Sequence, residues 1–148
     1  MMLYVNGSDI ARVVLGVLND DRSAFLVDPV TFSASPEQFL ATVDEFLSLH
    51  VDAGHGSPAY DVRASNLTGL VAVLGPGSAT ALRTSLTIVN TLAFAQSLPI
   101  FGVELDPDAN DRAALVYLRG VSSMPMARPL YANSAKITVS TKDALGRR

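Results

Sequence analysis

The sequence predicts an α/β domain on a mixed sheet, with three antiparallel opening strands followed by two long helices that alternate with strands. Three observations support this prediction. The chain opens with apolar stretches separated by polar turns, a proline-marked helix start follows at Ser35, and the apolar run LVAVL at 70–74 leads through two glycines into a long helical stretch. Elements in this order pack as layers around one core. A length of 148 residues is most simply one domain.

The opening strands are predicted at residues 2–5, 10–18 and 24–32. The segments between them, Asn6-Gly7-Ser8-Asp9 and Asn19-Asp20-Asp21, consist of residues that favour turns. Short connections between successive strands favour antiparallel pairing. We therefore expect an antiparallel three-stranded start.

The first helix is predicted to begin at Ser35, with Pro36 in its first turn and Gln38 completing a capping box. It is expected to end at about His50. Its apolar residues recur at helical spacing and are Phe39, Leu40, Val43, Phe46 and Leu47. This pattern predicts an amphipathic helix with one buried stripe.

The second helix is predicted to run from a cap at Ser78 or Thr80 to about Leu98, without internal glycine or proline. Two apolar lines follow it, one of Ala79, Leu82, Leu86, Val89 and Ala93 and the other of Ile88, Leu92 and Ala95. A covering sheet can bury only one of them. The remaining face carries the small or neutral residues Thr84, Ser85, Thr87, Asn90 and Thr91. This face predicts a protein partner, and the alternative is a helix enclosed within one domain.

The end of the sheet is predicted from residues 100–105, a strand that follows the second helix. The aspartate-rich stretch 106–111 is expected to be a turn, and 113–118 is a candidate for the last strand. Pro125 and Pro129 make regular structure less favourable after that. Three strands, helix, strand, helix and strand is the order of an RNase H-like unit, one lobe of an actin-like protein of the ASKHA superfamily.

The glycines at the junction before the second helix admit two interpretations. One is an anion or nucleotide loop formed by Asn6, Gly7, Ser8, Gly75, Gly77 and Ser78, because backbone N–H groups at a helix N-terminus attract anions. The other is a tight turn that allows close packing. A Walker-type loop needs a lysine here, and no lysine occurs before Lys136, so the sequence favours the tight turn.

The stretch VLGPGSATALR resembles the signature of the TsaB (YeaZ) family, Gly-Pro-Gly-Ser-Phe-Thr-Gly-Leu-Arg. Gly75, Pro76, Gly77, Ser78, Thr80, Leu82 and Arg83 match it, whereas Ala79 and Ala81 depart from it. The resemblance extends over about residues 2–104, with Asn6 at a position where an aspartate is usual. RPLYA at 128–132 resembles the family's C-terminal ending, and it follows the first lobe so closely that the second lobe is expected to be largely missing.

The resemblance implies a non-catalytic partner of a TsaD-type transferase in forming the threonylcarbamoyl group on adenosine of ANN-reading tRNAs. A TsaE-type ATPase is a second candidate partner, contact with tRNA would be indirect, and a homodimer is the alternative for the chain alone. The expected interface residues are Phe39, Val43, Phe46 and Leu47 of the first helix and Leu82, Leu86, Val89 and Ala93 of the second. No catalytic residue, cofactor or metal is expected. Two other functions remain open, a minimal nucleotide-binding enzyme of the actin-like superfamily and a stand-alone interaction module.

Metal and nucleophilic chemistry find little support in the residues. His50 and His55 are five apart rather than four, so on a helix they would not share a face, and surface positions are the favoured interpretation. Asn6 cannot supply the negative charge with which a carboxylate holds Mg²⁺. The chain has no cysteine, which rules out disulfides and thiolate sites. These residues do not favour catalysis by this chain alone, and the resemblance implies a pseudo-enzyme.

Charge and hydropathy predict where the chain works and how it is divided. The net charge of −3 combines +4 from Arg128 onward with −7 before it. We expect a domain at 1–120 and a basic tail at 121–148 in place of the second lobe, solvated or in contact with an acidic partner. No uncharged apolar run is long enough to span a membrane, and no secretory signal opens the chain. The expected location is the cytoplasm.

Overall fold

The computed structural model describes residues 1–48, 50–51 and 60–131. Its main sheet has five strands, β1 (Met2–Asp9), β2 (Arg12–Leu18), β3 (Phe25–Ser33), β6 (Gly69–Gly75) and β7 (Ile100–Glu104). A two-stranded ribbon of β4 (His50–Val51) and β5 (Tyr60–Asp61) lies apart from it. The helices are α1 (Phe39–Phe46), α2 (Ala79–Gln96) and α3 (Ala114–Tyr117).

The strand order in the main sheet is β3-β2-β1-β6-β7. β1, β2 and β3 pair antiparallel, whereas β6 pairs parallel with β1 and β7 pairs parallel with β6. A mixed sheet with three antiparallel strands and two parallel ones reached through helices is that of an RNase H-like lobe. The predicted fold class is confirmed.

Alternate residues of the central strands enter different cores because side chains along a strand point to opposite faces. Leu3, Val5 and Leu70 belong to the core under α1 and α2. Tyr4 and Val71 belong to a smaller core under α3. The strands β1 and β6 are therefore buried on both faces, as the apolar run at 70–74 predicted.

Helix starts follow the predicted caps. The Ser35 N–H donates to Gln38 Oε1 at 2.9 Å in the predicted capping box, which opens a 3₁₀ turn at Pro36–Gln38. Ser78 Oγ accepts from the Ala81 N–H at the start of α2. The first helix is shorter than predicted, because the α-helix ends at Phe46 and has eight residues. Within the part of the chain that the structure describes, α2, with 18 residues, is the only long helix.

The turn predicted at residues 6–9 is wrong, since these residues continue β1. β1 and β2 pair from Met2 to Asn6 and again at Asp9, with an irregularity between. Asp9 Oδ1 accepts from the Ala11 N–H at 2.8 Å and closes the actual turn at residues 10–11. The turn chemistry is present, but one aspartate supplies it and the strand extends up to that residue.

The last predicted strand, at 113–118, is also wrong. A 3₁₀ turn at Asp111–Ala113 leads into α3. Asn110 Oδ1 accepts from the Ala113 N–H at 3.2 Å, so the turn has an N-cap. Ala114 and Leu118 are buried four residues apart, which is helical spacing that the apolar run concealed.

The described part of the predicted tail, residues 121–131, packs along the domain. The Met124 N–H donates to the Ile100 carbonyl at 2.8 Å, and the Leu130 N–H donates to the Leu74 carbonyl at 2.7 Å. Between them, the Asn90 side chain pairs with both backbone groups of Ala127. We call residues 121–131 the strap. The four basic residues that follow it lie outside the described part of the chain.

Candidate functional site

The outward face of α2 differs from the interface that the sequence predicted. All eight predicted interface residues are buried within the chain itself: Phe39, Val43, Phe46, Leu47, Leu82, Leu86, Val89 and Ala93. All but Leu82 belong to the core between the helices and the sheet, and Leu82 is itself fully buried. The strongest apolar stripe of an amphipathic helix turns toward its own sheet. None of these eight side chains is therefore exposed for contact with a partner, and the outward side of the same helices carries other residues.

Three threonines follow one another along the outer side of α2, and each hydroxyl is bonded to its own helix. Thr84 Oγ1 donates to the Thr80 carbonyl, Thr87 Oγ1 to the Arg83 carbonyl at 2.7 Å, and Thr91 Oγ1 to the Thr87 carbonyl at 2.8 Å. A hydroxyl that already has an acceptor loses little when water is removed. The row therefore offers contact area without a polar group that a partner must satisfy.

Exposed apolar side chains extend this surface at both ends. Phe94, one turn beyond the threonines, is 90% exposed and lies in a groove with Met126 of the strap. Leu40 on α1 is 62% exposed and lines a groove of about 430 Å³ with Ile88 of α2. We call Leu40, Arg83, Thr84, Thr87, Thr91 and Phe94 the outer face.

The sequence had selected part of the outer face correctly. Thr84, Thr87 and Thr91 lie there as predicted, at least partly exposed. Ser85 is buried against β1, and Asn90 holds the strap. Leu40 was missed as a surface residue because it was counted in the apolar stripe of the first helix, and Phe94 was not assigned to either apolar line of the second. Their exposure in the structure separates them from the core, which the periodicity of the sequence did not.

A second concave site lies at the carboxyl ends of the parallel strands. It is a cleft of about 390 Å³, and the predicted loop residues Asn6, Ser8 and Gly77 line it together with Asp106 and Asp111. The structure thus brings together part of the predicted anion loop. The sequence had not singled out Asp111, which lies in the stretch expected to be a simple turn.

A hydrogen-bond network holds the floor of this cleft. Asp111 Oδ1 accepts from the Tyr4 hydroxyl and from Asn6 Nδ2, both at 2.7 Å. Asn6 Oδ1 in turn accepts from the Ser8 hydroxyl at 2.7 Å. Burial, followed by the nearby Asp111 carboxylate, raises the pKa of the Tyr4 phenol above its usual value. The Asn6 amide, which carries no charge, thus connects Asp111 to Ser8 through its two hydrogen bonds.

Close packing explains the glycines of the predicted loop. A Cβ on Gly77 would lie 2.4 Å from the Ser8 carbonyl oxygen, and one on Gly75 would lie 2.2 Å from that of Leu130. Gly75 also has φ of +142°, a backbone conformation that other residues rarely adopt. These close contacts support the interpretation of the glycines as a tight turn that allows close packing.

The groups around the cleft suit an anion poorly. The Ser78 N–H, at the helix start, donates to the Ser8 carbonyl at 2.8 Å and so is not directed to a ligand. Asp9, Asp106 and Asp111 line the cleft with Arg12, whose Nε lies 3.1 Å from Asp9 Oδ2. Three carboxylates against one guanidinium leave an excess of negative charge, which repels phosphate.

Metal binding and membrane spanning find no candidates in the described ranges. No group of three or more histidine, aspartate or glutamate side chains in residues 1–48 and 60–131 is arranged to hold a metal ion. His50 contributes backbone to β4, whereas His55 lies outside the described residues. Of the helices described, none has the length and apolar character needed to cross a membrane.

Comparisons with known proteins find similar solved structures. A scan of protein-family profiles finds no match, and a search of curated proteins finds none either. The chain is similar to YeaZ from Pseudomonas aeruginosa, with a TM-score of 0.49 and 20% identity over 70% of this chain and 43% of that one. It is equally similar, with coverage of 42%, to an uncharacterized protein from the same organism described as resembling the peptidase YeaZ. T. thermophilus RuvC with a Holliday junction substrate has a TM-score of 0.44 and 15% identity over 70% of this chain and 63% of that one. This chain spans less than half the length of both YeaZ-like proteins.

Proposed function

We propose that this chain is a non-catalytic subunit that binds a TsaD-type transferase through its outer face. In the cytoplasm it supports formation of the threonylcarbamoyl group on adenosine of ANN-reading tRNAs. The motif GPGSATALR, which resembles the TsaB signature, supports the choice of pathway. A TsaE-type ATPase is a further candidate in the same assembly, and tRNA contact is indirect.

The observation that carries the proposal is the outer side of α2. Arg83 is the only charged residue among the 18 of this helix. Threonine hydroxyls bonded to their own backbone and a Phe94 that is 90% exposed leave a surface that water solvates poorly. A helix with this surface is stabilised when another helix covers it.

The sizing experiment uses the full chain and the TsaD-type transferase of the same organism, alone and mixed, with light scattering to count subunits. A 1:1 complex is expected. Thr91→Asp introduces a charge at the centre of the outer face and should weaken the complex at least about tenfold, because an unpaired carboxylate would be buried. Thr91 is exposed, so the fold should persist, with an unchanged circular dichroism spectrum.

The matched control is Val116→Asp, which introduces the same charge at an exposed position of α3 on the other side of the sheet. It should bind like wild type. A folded wild-type chain that forms no complex would overturn the proposal. Equal weakening by both substitutions would show that net charge, rather than the outer face, controls binding.

A nucleotide-binding enzyme is the alternative that the cleft offers, with its 390 Å³ and strand-end position. Its negative charge and the engaged helix start weigh against this alternative. Binding of ATP to the isolated chain, measured by calorimetry with and without Mg²⁺, would favour the enzyme over the subunit.

A further inference from the structure

Arg83 occupies a special place on the outer face. It lines the groove with Leu40, Thr84 and Thr87, and Glu37 lies on the opposite lip. Its Nε donates to the Tyr131 hydroxyl at 3.0 Å, and its guanidinium lies 5.7 Å from the centre of that ring. Within the described part of the chain no carboxylate is recorded within ion-pair distance of Arg83.

The bond to Tyr131 orients the guanidinium. With Nε engaged, the two terminal nitrogens keep N–H donors for another acceptor. A guanidinium offers its donors as a planar fork that matches the two oxygens of a carboxylate. The strap, which carries Tyr131, therefore prepares Arg83 for a bidentate acceptor.

Covering the outer face makes this acceptor necessary. Any helix that packs over Thr84, Thr87 and Leu40 also removes water from Arg83, which lies among them. Burying a guanidinium without a counter-charge costs more than apolar contact around it returns. Glu37, on the other side of the groove, is acidic, so the partner residue that faces Glu37 must be neutral or basic.

We infer that the partner covering the outer face places a carboxylate against Arg83, on a helix otherwise apolar or small at the contact. This inference rests on the proposed function and specifies the chemistry of the partner's contact surface. Arg83 then determines register and specificity, whereas the threonine row and Leu40 supply area. Tyr131 is a positioning residue, since it acts through the guanidinium.

The test compares Arg83 variants of the full chain for affinity to the TsaD-type transferase over a range of NaCl concentrations. Arg83→Glu should raise the Kd about 30-fold or more, since it sets two carboxylates against each other. Arg83→Lys keeps the charge without the fork and should fall between Arg83→Glu and wild type. Tyr131→Phe removes the Nε acceptor and should raise the Kd a few-fold with the salt dependence retained.

The matched control is Arg119→Glu, which makes the same change of net charge at an exposed position just after α3. It should alter the Kd less than about twofold, in keeping with an exposed charge outside the contact. Circular dichroism of each variant checks that the fold is retained.

The outcomes separate the two claims. Normal binding by Arg83→Glu together with loss of binding by Thr91→Asp would overturn the carboxylate inference and leave the proposed function standing. No binding by wild type would overturn both. If the chain alone is a dimer that Arg83→Glu dissociates, the carboxylate comes from a second copy, and the inference about the transferase is overturned.

Discussion

Replacing Asp111 with alanine tests whether the network under the cleft stabilises the fold. Asp111 Oδ1 accepts from the Tyr4 hydroxyl at 2.7 Å, and the Tyr4 side chain is fully buried between β1 and α3. Losing the acceptor leaves a buried phenol donor unsatisfied, which costs about 1–3 kcal/mol. The second bond, from Asn6 Nδ2, lies in the cleft, where water can replace it. We expect Asp111→Ala to lower the free energy of unfolding by about 2 kcal/mol.

Urea unfolding followed by circular dichroism measures this loss, and a double-mutant cycle assigns it to the pair. Tyr4→Phe removes the donor and keeps the ring, so the Tyr4→Phe/Asp111→Ala variant buries no orphaned hydroxyl. It should lose about 1 kcal/mol less than the sum of the two single variants. For a chain of this size, 1 kcal/mol corresponds to roughly 2–4 °C in Tm.

Asp28→Ala provides the control. Asp28 pairs with Arg112, the residue next to Asp111, but both side chains of this pair are 63% exposed. An exposed ion pair contributes about 0–1 kcal/mol. The reasoning about burial is refuted if Asp111→Ala unfolds at the wild-type midpoint, or if the cycle shows strict additivity.

Three further predictions concern the core, the junction and alkaline pH. Val89→Asp, at a fully buried position, should unfold the chain by circular dichroism, whereas Thr91→Asp should not; a folded Val89→Asp would contradict the packing. Gly77→Ala should lower the urea midpoint, because its Cβ would lie 2.4 Å from the Ser8 carbonyl oxygen. An unchanged midpoint would show that the turn between β6 and α2 has room for a methyl group. The raised pKa of Tyr4 contributes stability that is complete below about pH 10, the unfolded value, and is lost as pH rises above it. Urea midpoints from pH 8 to 11 should therefore fall less steeply in Tyr4→Phe than in wild type, and parallel curves would count against the buried phenol.

Caps and apolar runs predicted most of the fold from local chemistry. Ser35 and Ser78 begin their helices because a side chain near a helix start can satisfy N–H groups without any distant contact. The run at 70–74 is a doubly covered strand because every residue in it is apolar. The errors at residues 6–9 and 113–118 occurred where local signals compete, since an aspartate can end a strand later than the first turn residue suggests.

The candidate sites required long-range contacts. Asp111 reaches Tyr4 and Asn6 across more than 100 residues of sequence, and no spacing rule links them. Arg83 meets Tyr131 only because the strap returns along α2. The sequence favoured a tight turn at the glycines before α2, but the hydrogen bond from the Ser78 N–H to the Ser8 carbonyl joins residues 70 positions apart and required the structure.

By itself, the sequence determined the order of the five main-sheet strands and the two helices between them. It also determined the starts of those helices, the apolar central strand and a helix with more apolar surface than one sheet can cover. These properties follow from backbone preferences and from the periods of 2 and 3.6 residues, which are local. Only the tertiary structure decided which side of α2 is outward, because two apolar lines compete for one sheet. The side that packs on the sheet is the one on which Ser85 lies close to Gly7 of β1. That choice buried the four α2 residues expected at the interface and left Phe94 of the same helix exposed.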